Sequence, residues 1–90
     1  MMRTIRYAGQ FKKDAKLASK RGYAMNKLRL VIEKLVNEEE LEARYEDHLL
    51  QGKYAGARDC HIQPDWILVY AIVGNELRLI RTGTHVDLFK

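Results

Sequence analysis

Eight consecutive residues, Trp66 to Val73, are apolar at odd and even positions alike. A strand with one wet face alternates apolar and polar side chains, so a run apolar at both parities needs cover on both faces. It falls far short of the roughly 20 residues that span a bilayer, and no longer apolar run occurs. The run therefore predicts a central strand. Gly74-Asn75 after it is a two-residue hairpin signal, with Glu76 to Thr84 returning. Before it, Arg58 to Ile62 reads as a strand that ends at Gln63-Pro64-Asp65, because proline cannot serve inside a ladder. These segments make a three-stranded antiparallel meander.

The first half supplies helices. Arg3 to Tyr7 alternates, with Ile5 and Tyr7 on one face, and suits a first strand. From Gln10 to Arg21 the period is helical: Phe11, Ala15 and Ala18 form an apolar side, Gly9 serves as N-cap and Gly22 as the stop. A second helix, about Met25 to Val36, carries a broad apolar face of Met25, Leu28, Val31, Ile32, Leu35 and Val36. A polar connection follows to about Asp47. The predicted architecture is α+β: an N-terminal strand, a helical hairpin, then a three-stranded antiparallel meander, with the helices on one face of a single twisted sheet. Ninety residues suffice for one domain, 1–90, with one modest core. The single cysteine, Cys60, cannot form an internal disulfide, which excludes a stapled secreted scaffold and points to the cytoplasm. The start, Met1 to Arg6, lacks the apolar stretch of a signal peptide.

Charge is unevenly spread. Residues 1–30 hold nine Lys or Arg against one acid, Asp14, whereas residues 31–47 hold seven acids against two bases. Lys12, Lys13, Lys16 and Lys20 fall within about 100° of arc on the first helix. They form either a solvated face or a surface for a polyanion.

Several residues could do chemistry. His48, His61 and His85 each fall at a turn or strand end, and imidazole transfers protons both ways near neutrality. Their spacings match no compact metal-ligand pattern, and Cys60, beside His61, points to the other strand face. Arg81 shares parity with Leu77 and Leu79, so it points toward the core. It must sit in a groove or pair with a carboxylate such as Asp59 or Asp87. Trp66 and Phe89 are either hydrophobic anchors or platforms for unpaired bases.

Three strings carry a resemblance: Tyr45 to Gly52 (YEDHLLQG), Arg58 to Tyr70 (RDCHIQPDWILVY), and Arg81 to His85 (RTGTH) with Leu88-Phe89. Together with the helical segments around Lys13-Asp14 and Met25 to Leu28, they resemble the YafQ branch of the RelE/ParE toxin superfamily over nearly the whole chain. One departure is Leu49, where family members often carry proline. The resemblance implies a RelE-like fold and a toxin of a type II toxin–antitoxin pair. Such a toxin is an mRNA interferase that cuts mRNA in the ribosomal A site and so inhibits translation. It implies a catalytic group of His48, His61, Asp65 and His85. Trp66 and Phe89 match the family's stacking positions for bases. Cleavage chemistry then gives Arg81 a bidentate phosphate contact with the substrate, and the basic face of Lys12, Lys13, Lys16 and Lys20 docks ribosomal RNA. No cofactor or metal is implied. The implied partners are the ribosome, mRNA and an acidic, DNA-binding antitoxin of the DinJ type, with operator DNA reached only through the antitoxin and no membrane contact. Three other activities fit the residues less fully: an endoribonuclease independent of the ribosome, a gyrase inhibitor of the ParE kind, and a non-catalytic RNA-binding module.

Overall fold

A computed structural model describes residues 2–89. The element order is β1 (Thr4–Tyr7), α1 (Gly9–Lys20), α2 (Met25–Val36), β2 (His48–Leu49), β3 (Arg58–Gln63), β4 (Trp66–Val73), β5 (Glu76–Gly83) and α3 (His85–Phe89). Short 3-10 turns at Ala43–Tyr45 and Gly52–Tyr54 flank β2. The five strands form one sheet in the order β1-β5-β4-β3-β2. The meander pairs antiparallel as its hairpin signals require. The first strand docks parallel to β5, so the sheet is mixed.

The apolar run behaves as its pattern demands, for Trp66 through Tyr70 are all buried. Its even residues, Trp66, Leu68 and Tyr70, join Phe11, Ala18, Leu28, Val31 and Leu35 of the two long helices in the larger core. Its odd residues, Ile67 and Val69, join Ala57 and Leu88, with Leu50, Tyr54, Ile80 and Phe89 packed alongside. Cover for this second face comes from the 50–57 segment and from α3. Neither is visible in the periodicity. A loop with a single 3-10 turn and a five-residue helix are too short to show one.

Local signals explain most boundaries. Gly22 ends α1 in the left-handed region at φ +81°, a conformation that suits glycine. Gly9 is the first helical residue rather than the cap. Ala8 holds that place and makes no side-chain cap bond. The last carbonyls of α2, orphaned by helix geometry, are satisfied across the fold: Leu35 O accepts from Arg3 Nη1 at 2.7 Å and Val36 O from the Arg3 N–H at 2.8 Å.

The α1 stripe holds one surprise. Asp14, three residues from Phe11 and four from Ala18, is buried with them. Its carboxylate accepts from Arg81 Nε at 2.7 Å and Nη2 at 3.1 Å, from the Thr82 N–H at 3.2 Å, and from Gln10 Nε2 at 3.0 Å. Arg81 thus pairs with Asp14, not with Asp59 or Asp87. A bulge shifts the strand pairing at this point. The β4–β5 register runs Tyr70↔Leu79 and then Val69↔Arg81, so one extra residue resets the alternation. Thr82, not Arg81, continues the helix-side series of Leu77 and Leu79. Its hydroxyl accepts from Trp66 Nε1 at 2.9 Å and donates to Ile67 O at 2.8 Å.

Candidate active site

Alternation along β3 places Asp59 and His61 on the face away from α1 and α2, opposite Val69 and Ile67 of β4. The short β2 brings His48 opposite Asp59. Leu49 occupies the second position of that strand opposite Arg58 and is exposed. From the other side, α3 carries His85 at its first position and Phe89 at its last. The result is a pocket of about 210 Å3 lined by His48, Leu50, Asp59, His61, His85 and Phe89. All three histidines meet there, from segments 13 and 24 residues apart in sequence.

The ring of His48 is oriented from below. Its Nδ1 lies 2.8 Å from Glu46 O and 3.0 Å from Asp59 Oδ1. Both neighbours are acceptors, so Nδ1 carries the proton, and in the neutral ring Nε2 keeps its lone pair. The Nδ1 of His61 stands 4.0 Å from Glu46 Oε2. His85 stacks on Phe89 with ring centroids 5.0 Å apart, and Tyr54 meets Phe89 edge-on at 5.8 Å. Tyr54 in turn accepts from Arg81 Nη1 at 3.3 Å.

Asp59 is the acid that sequence reading missed. It is 2% exposed, and burial raises its carboxyl above the usual range, in part offset by attraction to His48, His61 and His85. A raised native value means that the folded state binds the proton more readily than the unfolded one, so stability falls as pH rises through that window. Asp59→Asn therefore raises the melting temperature at pH 7, and the gain shrinks as pH falls through the raised native value and is gone below the ordinary carboxylate value near 4. Thermal melts from pH 3 to 8 check this. An Asn variant less stable than the parent at every pH contradicts it.

Other expected site residues take different places. Asp65 does not line the pocket, but its Oδ1 accepts the backbone N–H of His85 at 3.2 Å, so it holds the start of α3. Thr84 and Asp87 add a reciprocal capping pair, each side chain bonding the other's N–H at 3.1 Å, and Arg21 Nη1 donates to Asp87 Oδ2 at 3.0 Å. Those bonds, that from Thr84 N–H foremost, keep the Asp87 carboxyl below its ordinary range. A Cβ at Gly83 would stand 3.1 Å from Asp87 Oδ2, so glycine lets the helix fold back this closely. Trp66 is 2% exposed and packs edge-on against Tyr23 in the helix-side core. It is an anchor and offers no face to a base. Arg81 has its Nε and Nη2 edge taken by Asp14, so the bidentate fork is directed inward. Lys12, Lys13, Lys16 and Lys20 are exposed on α1. Among the described residues, no three His, Cys, Asp or Glu side chains are grouped to hold a metal ion, and no helix is long and apolar enough to cross a membrane.

The arrangement matches known proteins along its length. The family model for the bacterial toxin of type II toxin–antitoxin systems, YafQ, matches residues 3–90. The chain belongs to the YafQ toxin family. The mRNA interferase toxin YafQ of Escherichia coli K12 is 50% identical over 90 residues, covering 99% of this chain and 98% of that protein. The crystal structure of YafQ from E. coli BL21(DE3) superposes with a TM-score of 0.94 at 49% identity, covering 98% of this chain and 99% of that one. YafQ in the E. coli DinJ–YafQ toxin–antitoxin complex gives a TM-score of 0.92 at 49% identity, with both chains covered in full. The YafQ fold is thus the frame on which the three histidines converge here.

Proposed function

We propose that this 90-residue chain is one toxin domain that acts in the cytoplasm as a ribosome-dependent mRNA endoribonuclease. The observation that carries the reading is the convergence of His48, His61 and His85 with buried Asp59 in one pocket. Membership of a family whose E. coli relative is an mRNA interferase supports it. Inhibition of gyrase by surface contact needs no such group.

RNA cleavage without a metal needs a base to take the 2′-hydroxyl proton, a charge to steady the phosphate oxygens, and an acid for the leaving 5′-oxygen. His48 Nε2 takes the proton, because Nδ1–H is already committed to the Glu46 carbonyl. The 2′-oxygen then forms a bond to phosphorus as the bond to the 5′-oxygen breaks. A protonated His61 or His85 delivers the proton to that oxygen, leaving a 2′,3′-cyclic phosphate. Asp59 places a negative charge beside the imidazolium that forms, and Asp65 positions His85 through its backbone. Phe89 offers its ring to a base. Arg81 supplies positive charge through Nη1 and Tyr54, not through a bidentate fork.

The exposed lysines of α1 dock ribosomal RNA. The E. coli relative is found in complex with DinJ, and an acidic antitoxin of that kind neutralises this chain and alone contacts operator DNA. The deciding experiment uses purified protein and mRNA on programmed ribosomes, with magnesium retained for the ribosome and a chelator selective for transition metals added, at rising salt. Cleavage with cyclic-phosphate ends is expected, absent on naked RNA. Lys12, Lys13 and Lys16 replaced together by alanine flatten the salt dependence by about three counterions. Cleavage of naked RNA at the same rate points to the ribosome-independent enzyme, and a requirement for a specific transition metal overturns the proton-transfer scheme.

A further inference from the structure

The histidine pocket has a neighbour. Across His61, which lines both, lies a cleft of about 370 Å3 between the 43–45 turn and the β3–β4 turn. Two departures from regular backbone shape it. Glu46 adopts φ +48°, in the left-handed region that non-glycine residues seldom occupy and that clusters at functional sites. The β3 register also slips between His61 and Gln63, a bulge of the kind that re-aims side chains beside active sites.

The side chains are suited to a base rather than to a phosphate. The Arg44 guanidinium carbon sits 4.6 Å over the ring of buried Tyr45, and Nη2 donates to the Tyr45 hydroxyl at 2.9 Å. The guanidinium is held at two points while the side chain stays 66% exposed, which makes a platform of the sort on which unpaired bases stack. Glu46 projects a carboxylate that is 70% exposed. It repels phosphate and accepts from base N–H groups. Gln63, at the bulge, can donate and accept.

We propose that this cleft is a base-reading subsite for the nucleotide next to the scissile phosphate. The base stacks on Arg44, and Glu46 with Gln63 reads its hydrogen-bonding edge. An acceptor-only carboxylate matches the exocyclic amino groups of adenine, cytosine and guanine, whereas the single donor of uracil, N3–H, is flanked by two carbonyls that the carboxylate repels. The inference rests on the ribonuclease reading above.

The test is single-turnover cleavage on programmed ribosomes with mRNAs that differ only at the nucleotides flanking the cut, for the intact protein and for Glu46→Gln, Arg44→Ala and His85→Ala. The wild-type chain is expected to cut substrates with uracil at one flanking position about tenfold more slowly. Glu46→Gln, whose amide can donate to the uracil carbonyls, brings that ratio to within about twofold. Arg44→Ala weakens apparent binding about tenfold for every base. Wild-type cleavage indifferent to flanking bases, or a Glu46→Gln profile like that of wild type, overturns the subsite and leaves the enzyme reading standing. No cleavage by the wild-type chain overturns both. Both variants alter exposed side chains, and a matching thermal melt separates lost reading from lost fold.

Discussion

His85→Ala abolishes RNA cleavage while the fold survives. An imidazole that delivers or removes a proton in the transition state is worth roughly 10²–10⁴-fold, so the cleavage rate falls by about that factor. The structural cost is small. His85 is an exposed residue at the start of a five-residue helix, and its main contact is the Phe89 ring at 5.0 Å. Losing one such aromatic contact costs about 1 kcal/mol. The helix keeps its capping pair and the Arg21–Asp87 bond without the ring. Ribosome binding, which the proposal assigns to the α1 lysines, is expected to stay as it was. Single-turnover rates beside a thermal melt and a ribosome-binding isotherm make the check. A variant that cleaves at the parental rate removes His85 from the chemistry.

Asp14→Ala has the largest expected effect on stability. The carboxylate is 9% exposed and receives four hydrogen bonds, two of them from a guanidinium whose side chain is 20% exposed. Removing it leaves the half-buried Arg81 fork and the buried Thr82 N–H without their acceptor. Breaking a pair of this kind by deleting one partner costs about 3–5 kcal/mol, a large part of the 5–15 kcal/mol that usually holds a domain together. The melting temperature falls on the order of 20 °C. Replacing both partners, Asp14→Leu with Arg81→Met, restores most of the loss, because neither charge is then left unmatched. Urea unfolding at pH 7 measures both variants. An Asp14→Ala protein within about 1 kcal/mol of the parent shows that Arg81 does not depend on it.

The same pair shows where sequence reading stops. The meander and the second helix were legible because their apolar periods are long and their turns carry glycine, proline and asparagine. The histidines were legible as residues at turns, and the family strings fixed their company. Arg81 pairs with a carboxylate, as expected, but with Asp14 rather than Asp59 or Asp87, and the bulge beside it leaves no mark in a pattern of apolar residues. Asp14 could have been found: positions 11, 14, 15 and 18 share one helical stripe, and an acid alone among nine bases invites the question of its partner. Asp59 also lies within reach of the rule that separated Cys60 from His61, since residues two apart on a strand share a face. Trp66 was harder, because a strand-end tryptophan beside Pro64 and Asp65 reads equally well as anchor or platform until its neighbours are known.

Consecutive residues of β4 serve opposite layers, and this has an evolutionary consequence. A substitution that repacks the long helices is felt first at the even-numbered positions, Trp66, Leu68 and Tyr70, that face them. The floor beneath the imidazoles rests on odd-numbered ones. Repacking of the helical layer can therefore proceed on one side of this sheet while the histidine pocket on the other keeps its support.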